Sequence, residues 1–408
     1  MIHVLTGRLI DGLSDNAIEK GLVAFENNRI LYAGPEEEYV IPEGAEVFSA
    51  GNGTILPGFI DVHAHLTGDE DAGYYAEGRL FGDQLIGGVY QLGLLLEAGF
   101  TGLRDMSEAG LYLSRGVARG AIRGPRIVPG GRILGITSGH VDFGPVFSKE
   151  YVNRHDHLSR LCDGPDDCVL AVREQFRSGA QFIKICATGG VSSPTDRIDD
   201  VQFSPEELRA IVDEAKRHHS YVTAHCTGYE GAYQALLAGV ECIEHGVMLT
   251  EREISLMAEK DIPLVSTLWV SLNVANLPGM PEFAKQKAQT CAEYNKKTIA
   301  LARQYGVRVA LGTDFSNSKN TSYLTIGREF EAMVEAGLTP MEAIKGGTSI
   351  AASVMKIDDL GALKAGYLAD IAVTDGDPLD NISCLASAEH ITFVAADGRI
   401  VKNKLEKA

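Results

Sequence analysis

Two histidines separated by one residue, His63 and His65, are the residues of this chain best suited to chemistry. They follow an apolar run, residues 55–60, that predicts a buried β-strand with Pro57 and Gly58 in it. Because side chains alternate along a strand, the two imidazoles are expected on the same side of it. Imidazole is the commonest metal ligand, so the pair predicts half of a metal site. The alternative is a pair of polar residues that line the mouth of a barrel.

Four further candidate ligands each lie in a separate short apolar run. They are Lys184 within residues 182–187, His225 at the end of 221–225, His245 at the end of 242–245 and Asp314 at the end of 309–314. A lysine buried in an apolar strand is costly, so Lys184 needs a reason to be there. One reason is a CO2 adduct of its amine, a carboxylate that can bridge two metals. The other is a salt bridge to a carboxylate of the barrel.

The elements that would position these residues are short apolar runs alternating with helical stretches. The runs are residues 55–61, 101–105, 126–134, 182–187, 221–226, 242–245, 263–268 and 308–314, and the helical stretches include 83–98, 205–219, 229–238, 251–259 and 283–305. Ser204 before Pro205 predicts the capped start of a helix. Eight strands alternating with helices predict an α/β fold, the (β/α)8 or TIM barrel, whose active sites lie at the carboxyl ends of the strands.

Both ends of the chain have the pattern of β-strands instead. Residues 1–55 alternate between apolar and polar with turn signals, and residues 369–373 and 390–394 are strand-like. We expect the tail to join the N-terminal strands in one small β-sandwich beside the barrel. The predicted domains are a composite β-sandwich of residues 1–55 plus 356–408 and a barrel of residues 56–355.

Composition excludes several classes of protein. The chain has 408 residues, of which 45% are hydrophobic, enough for a large core, and its formal net charge is -18. So acidic a chain disfavours nucleic acid and anionic membranes as partners. No apolar run reaches membrane-spanning length and the N-terminus has no signal-peptide pattern, so we expect a cytoplasmic protein. Of the seven cysteines, Cys162 and Cys168 lie in a polar stretch, where they could pair or form part of a second metal site.

These residues and their flanking motifs resemble the amidohydrolase superfamily. The matching positions are His63, His65, Lys184, His225, His245 and Asp314, and the flanking patterns are residues 57–61, 361–371 and 376–379. Residues 138–140 and 184–196 are similar to the prolidase-like, imidazolonepropionase-related metallo-dipeptidases. Such enzymes hydrolyse the amide bond to a C-terminal amino acid. The resemblance covers nearly the whole chain.

The resemblance implies a centre of two divalent metals, with zinc the expected metal. His63, His65 and Asp314 would bind the more buried ion, and the histidines of the fifth and sixth strands the exposed one. Carboxylated Lys184 and a hydroxide would bridge the two. By the resemblance, such a hydroxide would attack the scissile carbonyl, and Asp314 would take its proton and pass it to the leaving amine.

Residues outside this ligand set are expected to bind the substrate. By the resemblance, His140 donates to the carbonyl oxygen or carboxylate of the substrate; the alternative is a histidine of a surface loop. Tyr229 could donate a hydrogen bond to the tetrahedral oxyanion, or be an aromatic at a helix start. Trp269 follows the seventh strand and would wall the side-chain pocket, with core packing as the alternative.

Loops at the same end of the barrel should complete the pocket. The backbone amides of Gly189, Gly190 and Val191 could form an anion-binding nest for the substrate carboxylate. Residues 66–75 are polar and aromatic, and residues 136–168 are long enough to act as a lid.

The sequence therefore predicts a dipeptidase, prolidase or carboxypeptidase that acts on dipeptides or N-acyl amino acids and assembles as a homo-oligomer. Residues 315–317 are Phe-Ser-Asn, where similar proteins carry Leu-Leu-Gly after the aspartate, so the preferred amino acid is open. With no acidic pocket signature, we expect a neutral or apolar residue, including proline. The alternatives are a cyclic-amide hydrolase of the imidazolonepropionase kind or an ochratoxin-type amidase, and, more remotely, a scaffold without activity.

Overall fold

The computed structural model describes residues 1–66, 80–142, 147–273, 280–316 and 321–407. The strands in these residues are β1 (Ile2–Leu9), β2 (Ile18–Glu26), β3 (Arg29–Pro35), β4 (Glu46–Pro57), β5 (Phe59–Ala64), β6 (Phe100–Asp105), β7 (Arg126–Pro129), β8 (Ile133–Gly135), β9 (Ser159–Leu161), β10 (Ile183–Cys186), β11 (Val222–Cys226), β12 (Cys242–His245), β13 (Leu264–Val265), β14 (Val309–Ala310), β15 (Ile371–Thr374), β16 (Ile391–Ala396), β17 (Arg399–Asn403) and β18 (Glu406–Lys407).

The helices surround the parallel strands. They are α1 (Phe81–Glu97), α2 (Glu108–Ala118), α3 (Lys149–His155), α4 (Pro165–Ser178), α5 (Pro205–Arg217), α6 (Tyr229–Ala238), α7 (Glu251–Glu259), α8 (Leu268–Asn273), α9 (Glu282–Gln304), α10 (Arg328–Glu335), α11 (Pro340–Gly346) and α12 (Ser349–Val354). Ser204 caps α5 as predicted, and its hydroxyl accepts from the backbone N–H of Glu207. None of the described helices combines the length and the apolar character needed to cross a membrane.

Strands from both ends of the chain form one sheet. Its order is β17-β16-β15-β4-β1-β2-β3, with β18 paired to β4. Its apolar face buries the side chains Leu5, Val23, Phe25, Phe48, Ile371 and Phe393. The small β-domain predicted from the two termini is thereby confirmed. The residue limits of the two domains stay a prediction.

The remaining strands run parallel in two segments, β5-β6-β7 and β14-β13-β12-β11-β10-β8-β9. The first and last strands of the barrel are joined where the N–H of Val62 donates to the carbonyl of Leu311 (3.1 Å) and that of Thr313 to the carbonyl of His63 (3.2 Å). Parallel strands alternating with helices confirm the predicted α/β barrel. Candidate ligands at the ends of β5, β11 and β12 consequently meet at one mouth.

Two of the predicted strand runs are each divided in the structure. The run at 55–61 is two strands, because Pro57 ends β4 in the terminal sheet and β5 begins at Phe59. The run at 126–134 is also divided, into β7 and β8, since Gly131 between them adopts a left-handed φ of +70°.

The predicted lid at residues 136–168 is not a plain loop, because it contains α3 and β9. Residues 143–146 within it, and most of the loop predicted at 66–75, lie outside the described residues. The seven cysteines are free and buried, so Cys162 and Cys168 form no disulfide in this structure.

Candidate metal centre

Three of the candidate ligands lie together where β5 and β14 end. One ligand atom each of His63, His65 and Asp314 lies within 4.8 Å of the other two. Oδ1 of Asp314 is 2.9 Å from Nε2 of His65 and 3.5 Å from Nε2 of His63. Both histidines are buried, whereas 26% of the Asp314 side chain is exposed, so the cluster opens to the barrel mouth on one side. Two imidazoles and a carboxylate at this spacing suit a divalent metal.

The other three candidates lie against this cluster. Nζ of Lys184, in the middle of β10, is 3.5 Å from Nε2 of His63. The ring centroids of His63 and His245 are 4.8 Å apart, and those of His225 and His245 are 4.5 Å apart. The structure therefore brings together side chains from β5, β10, β11, β12 and the end of β14.

Each of the four imidazoles has one ring nitrogen held by an oxygen of the protein. The pairs are His63 Nδ1 with Oε2 of Glu244 (2.7 Å), His65 Nδ1 with the carbonyl of Met106 (3.1 Å), His225 Nε2 with the carbonyl of Gly189 (3.1 Å) and His245 Nδ1 with Oγ1 of Thr267 (2.7 Å). Such partners fix the tautomer and orientation of a ligating histidine. Where that nitrogen carries the ring hydrogen, the second nitrogen has the lone pair that a metal needs, so the residues present fit the ions that the fold implies.

Burial sets the charge of these groups. It lowers the pKa of His63, His225 and His245 well below the ordinary value, which keeps the rings neutral, as metal ligation requires. Burial also lowers the pKa of Lys184. A buried amine with a depressed pKa is more often neutral, and the neutral amine is the form that adds CO2.

Two charged residues of this region were missed by the sequence reasoning. Glu244 precedes His245 on β12, and it binds Arg104 of β6 and the hydroxyl of Thr223 on β11. Burial is the largest single influence on the pKa of Glu244 and raises it, but Arg104, Lys184 and the Thr223 hydroxyl together outweigh burial, so the pKa lies below its usual value. A signal existed, because a charge inside an apolar strand carries the same cost that singled out Lys184.

The strand ends that carry the ligands are held in uncommon backbone conformations. Three residues that are not glycine, His245, Thr267 and Asp314, have φ values of +67°, +49° and +57°. The N–H of Asp314 donates to the carbonyl of His63 (2.7 Å), and the side chain of Asp61 accepts from the N–H of Thr313 (3.1 Å). A left-handed backbone conformation costs free energy in a residue other than glycine. It persists where surrounding contacts impose it, which is common at functional sites.

His140 lies beside this cluster and not on the surface. Only 8% of it is exposed, and its ring stacks on that of His225 with centroids 4.5 Å apart. Its Nδ1 is 2.9 Å from Oγ of Ser193, whose hydroxyl binds the carboxylate of Asp196. The surface-loop alternative for His140 is therefore wrong, while its role toward a substrate stays a prediction.

The turn at residues 189–191 differs from the anion nest expected there. The N–H of Gly189 donates to the carbonyl of Asp200 (2.9 Å), and that of Gly190 donates to Oδ2 of Asp196 (3.2 Å). A backbone amide has one hydrogen to donate, so these two amides are engaged inside the chain and not available to a substrate anion. Their contribution is to shape the loop around His140. The expectation for the amide of Val191 stays a prediction.

The two aromatic candidates occupy different settings. Tyr229 is the first residue of α6 and is 46% exposed, so it is a surface residue at the start of a helix, and its role toward an oxyanion stays a prediction. Trp269 is half-buried in α8, where its ring meets Phe315 edge to face at 5.3 Å and the guanidinium of Arg328 at 5.7 Å. Trp269, after β13, thus packs on Phe315, after β14. Phe315 is the first residue of the Phe-Ser-Asn sequence that stands where similar proteins carry Leu-Leu-Gly. Asn317, the last residue of that sequence, lies outside the described residues.

Comparison with known proteins agrees with this geometry. The family model described as "Amidohydrolase family" matches residues 54–401. The ochratoxinase of Aspergillus niger is 33% identical over 370 residues, which are 85% of this chain and 75% of that protein. The crystal structure of a prolidase complexed with N-methylphosphonate-L-proline has a TM-score of 0.91 at 32% identity and covers 99% of this chain and 100% of its own. That of a Xaa-Pro dipeptidase with bound methionine has a TM-score of 0.88 at 28% identity, covering 99% and 100%.

Proposed function

This chain belongs to the amidohydrolase family, and from that premise we propose that it hydrolyses the amide bond to a C-terminal L-amino acid in dipeptides or N-acyl amino acids. The family and its similarity to a prolidase and a Xaa-Pro dipeptidase make it a hydrolytic enzyme of C–N bonds acting on amides. The proposal adds the substrate class, the metals and the roles of residues.

The observation that carries the proposal is the set of four imidazoles, each tied through one nitrogen to a protein oxygen and gathered around Lys184 and Asp314. His63, His65 and Asp314 would hold one divalent ion, and His225 and His245 a second. Lys184, carboxylated on Nζ, would be shared between them. Zinc suits mixed nitrogen and oxygen ligation. Two such ions lower the pKa of a coordinated water and polarise a carbonyl.

Asp314 is the residue proposed to move the proton. Its Oδ1 lies among the ligand nitrogens, and the side chain is exposed on one side. An amide nitrogen leaves poorly unless it is protonated, so we assign Asp314 to take a proton from the attacking water and deliver it to the departing amine. The same group is general base in the first half of the reaction and general acid in the second.

His140 and Tyr229 are the proposed contacts of the substrate. The stacking of the His140 ring on His225 supports a role for His140 beside the proposed metal site, and Tyr229, partly exposed at the start of α6, is the second candidate. A product carboxylate needs hydrogen-bond donors, because a desolvated anion without partners is costly. The similar prolidase structure supports this class of substrate, since that prolidase is complexed with N-methylphosphonate-L-proline, a derivative of an L-amino acid.

The proposal is tested with three matched substrates: a dipeptide ending in proline or an apolar residue, its C-terminal amide and its N-acetyl form. We expect the amide to lose about 2–4 kcal/mol of transition-state binding, because charged hydrogen bonds are lost and their donors are left unpaired. That corresponds to roughly 30-fold to 1,000-fold in kcat/KM. The N-acetyl form should be cleaved at a rate similar to that of the free dipeptide.

Metal analysis gives the second arm of the test. Two zinc or similar ions per chain, lost together with activity on chelation and regained on addition, are expected. Equal cleavage of the free acid and the amide would instead indicate a general amidase. A single ion per chain would contradict the proposal that carboxylated Lys184 bridges two metals.

A further inference from the structure

A buried chain of hydrogen bonds leads from His140 away from the metal ligands. Nδ1 of His140 is 2.9 Å from Oγ of Ser193, and Ser193 in turn binds Oδ1 of Asp196. The side chain of Asp196 is 2% exposed and that of His140 is 10% exposed. Ser193 and Asp196 lie at the end of the motif of residues 184–196, but the proposed reaction gives them no task.

The partners of Asp196 show which group donates in each of these hydrogen bonds. Its carboxylate also accepts from the N–H of Gly190 (3.2 Å), Nε2 of Gln202 (3.2 Å) and Nζ of Lys287 (3.0 Å). Oε1 of Gln202 accepts from the N–H of His140 (3.1 Å), which fixes the orientation of that amide. Each of these partners is a donor, and Lys287 balances the charge of Asp196.

An ionised carboxylate only accepts hydrogen bonds, so the hydroxyl hydrogen of Ser193 points to Asp196. The oxygen of Ser193 is then left as the acceptor, and the ring of His140 has to donate from Nδ1. This leaves Nε2 as the nitrogen of His140 without a partner among the described residues.

We propose that Asp196 and Ser193 are positioning residues for His140: they hold its Nδ1–H and reserve Nε2 for the substrate. This inference rests on the proposed function, because it takes His140 to be a substrate contact. It deepens that function by assigning the atom that makes the contact and the two residues that orient it.

Two further features support the arrangement. A Cβ on Gly190 would overlap the His140 ring, so glycine leaves the space in which the imidazole lies. Nζ of Lys287, on α9, donates to the carbonyls of Gly190 (2.9 Å) and Ser193 (2.7 Å) as well as to Asp196. Lys287 thereby fixes the loop after β10 to α9.

The first test reads the tautomer directly. In the zinc-loaded enzyme labelled with 15N-histidine, we expect the His140 resonances, assigned by their loss in His140→Gln, to be those of an Nδ1–H ring. Asp196→Asn and Ser193→Ala should each shift this ring toward a mixture of tautomers. Asp199→Asn serves as the matched control, since Asp199 is an exposed residue of the same loop paired with Arg197. An Nε2–H ring in the wild type, or no change in both variants, would overturn the proposal.

The second test is kinetic and uses a double-mutant cycle. Asp196→Asn should lower kcat/KM on the order of 100-fold, the loss expected when a reacting group is misplaced by about 1 Å. In the His140→Gln background the same substitution should have little further effect, because Asp196 acts through His140. Additive losses would show a general structural role and overturn the proposal. If Asp196→Asn does not fold, Ser193→Ala completes the same cycle.

The two tests also separate this inference from the proposed function. If no dipeptide or N-acyl amino acid is hydrolysed by the wild type, the proposed function fails, while the tautomer measurement still decides the positioning role of Asp196 and Ser193. A tautomer that responds as expected, together with activity on those substrates and a cycle without additivity, supports both.

Discussion

Oε2 of Glu244 lies 2.7 Å from Nδ1 of His63, and both side chains are almost completely buried. The other oxygen of Glu244 binds Arg104 and Thr223, so this glutamate is held as an acceptor and His63 has to donate from Nδ1. Nε2 of His63 is thereby left for a metal. The carboxylate of Glu244 thus orients His63, and His63, not Glu244, is the proposed metal ligand.

Glu244→Gln should weaken metal binding without removing a ligand. An amide in place of the carboxylate presents an N–H group either to His63 or to Arg104, and loss of such a partner costs about 10-fold to 100-fold in metal affinity. Competition with a chromophoric chelator measures the change. Glu214→Gln is the matched control, because Glu214 is a buried glutamate paired with Arg173 on another helix. Equal affinities in the two variants would contradict the assignment.

Lys184→Ala should abolish turnover and release part of the metal. The alanine has no amine to carry the carboxylate shared by the two ions. Metal content per chain and the hydrolysis rate are measured side by side. Lys402→Ala, a buried lysine that donates to the carbonyls of Glu97 and Ala388, tests whether loss of any buried amine has this effect. A Lys184→Ala enzyme with two metals and the wild-type rate would show that Lys184 is not carboxylated.

Asp314→Asn should keep the fold and lose most of the rate. An amide cannot accept and return the proton of the attacking water, and removal of an acid–base residue typically lowers rates by about 10²–10⁴. The far-UV circular dichroism spectrum serves as the control for folding. If kcat/KM fell less than tenfold, another residue would have to carry the proton.

Asp370→Asn should change how stability depends on pH. Burial raises the pKa of Asp370 from 3.8 to about 6. The folded state therefore favours the protonated acid, and its stabilisation is present below pH 3.8 and lost as pH rises to about 6. One titrating proton contributes about 1.4 kcal/mol per pH unit. We expect the asparagine variant to gain thermal stability relative to the wild type between pH 4 and 6, with no further gain above that.

Thermal midpoints at several pH values measure this effect. Asp380→Asn, at an exposed position, is the control, and its difference from the wild type should not follow the same curve. A constant difference between Asp370→Asn and the wild type across this range would show that Asp370 ionises normally in the fold.

The histidines and the lysine could be found from the sequence because each is a polar residue in or at the end of an apolar strand. His63, in β5, and His65, just after it, are expected on the same side through the two-residue period of a strand, and their ligand atoms lie together in the structure. The bounds of α6 and α7 match the predicted ones; α6 ends at a left-handed Gly239, and α7 begins at a capping box of Thr250 and Glu253.

What the sequence did not reveal depends on contacts between distant segments. Glu244 and His63 pair across 181 positions, and Lys287 reaches Asp196 across 91. Nothing in the local pattern of either segment identifies its partner. The division of the run at 126–134 was missed for a different reason, since Gly131 was included in the apolar run although its left-handed φ ends the strand.

The hydrogen bond between His65 and Asp314 joins residues 249 positions apart. Bringing two residues so far apart in the sequence into contact is slow, because it costs chain entropy. That cost is offset only after the intervening strands have paired. The centre is therefore among the last parts of the molecule to form. During refolding, uptake of metal by this cluster should report completion of the whole barrel, and ions should enter a folded chain instead of nucleating an unfolded one.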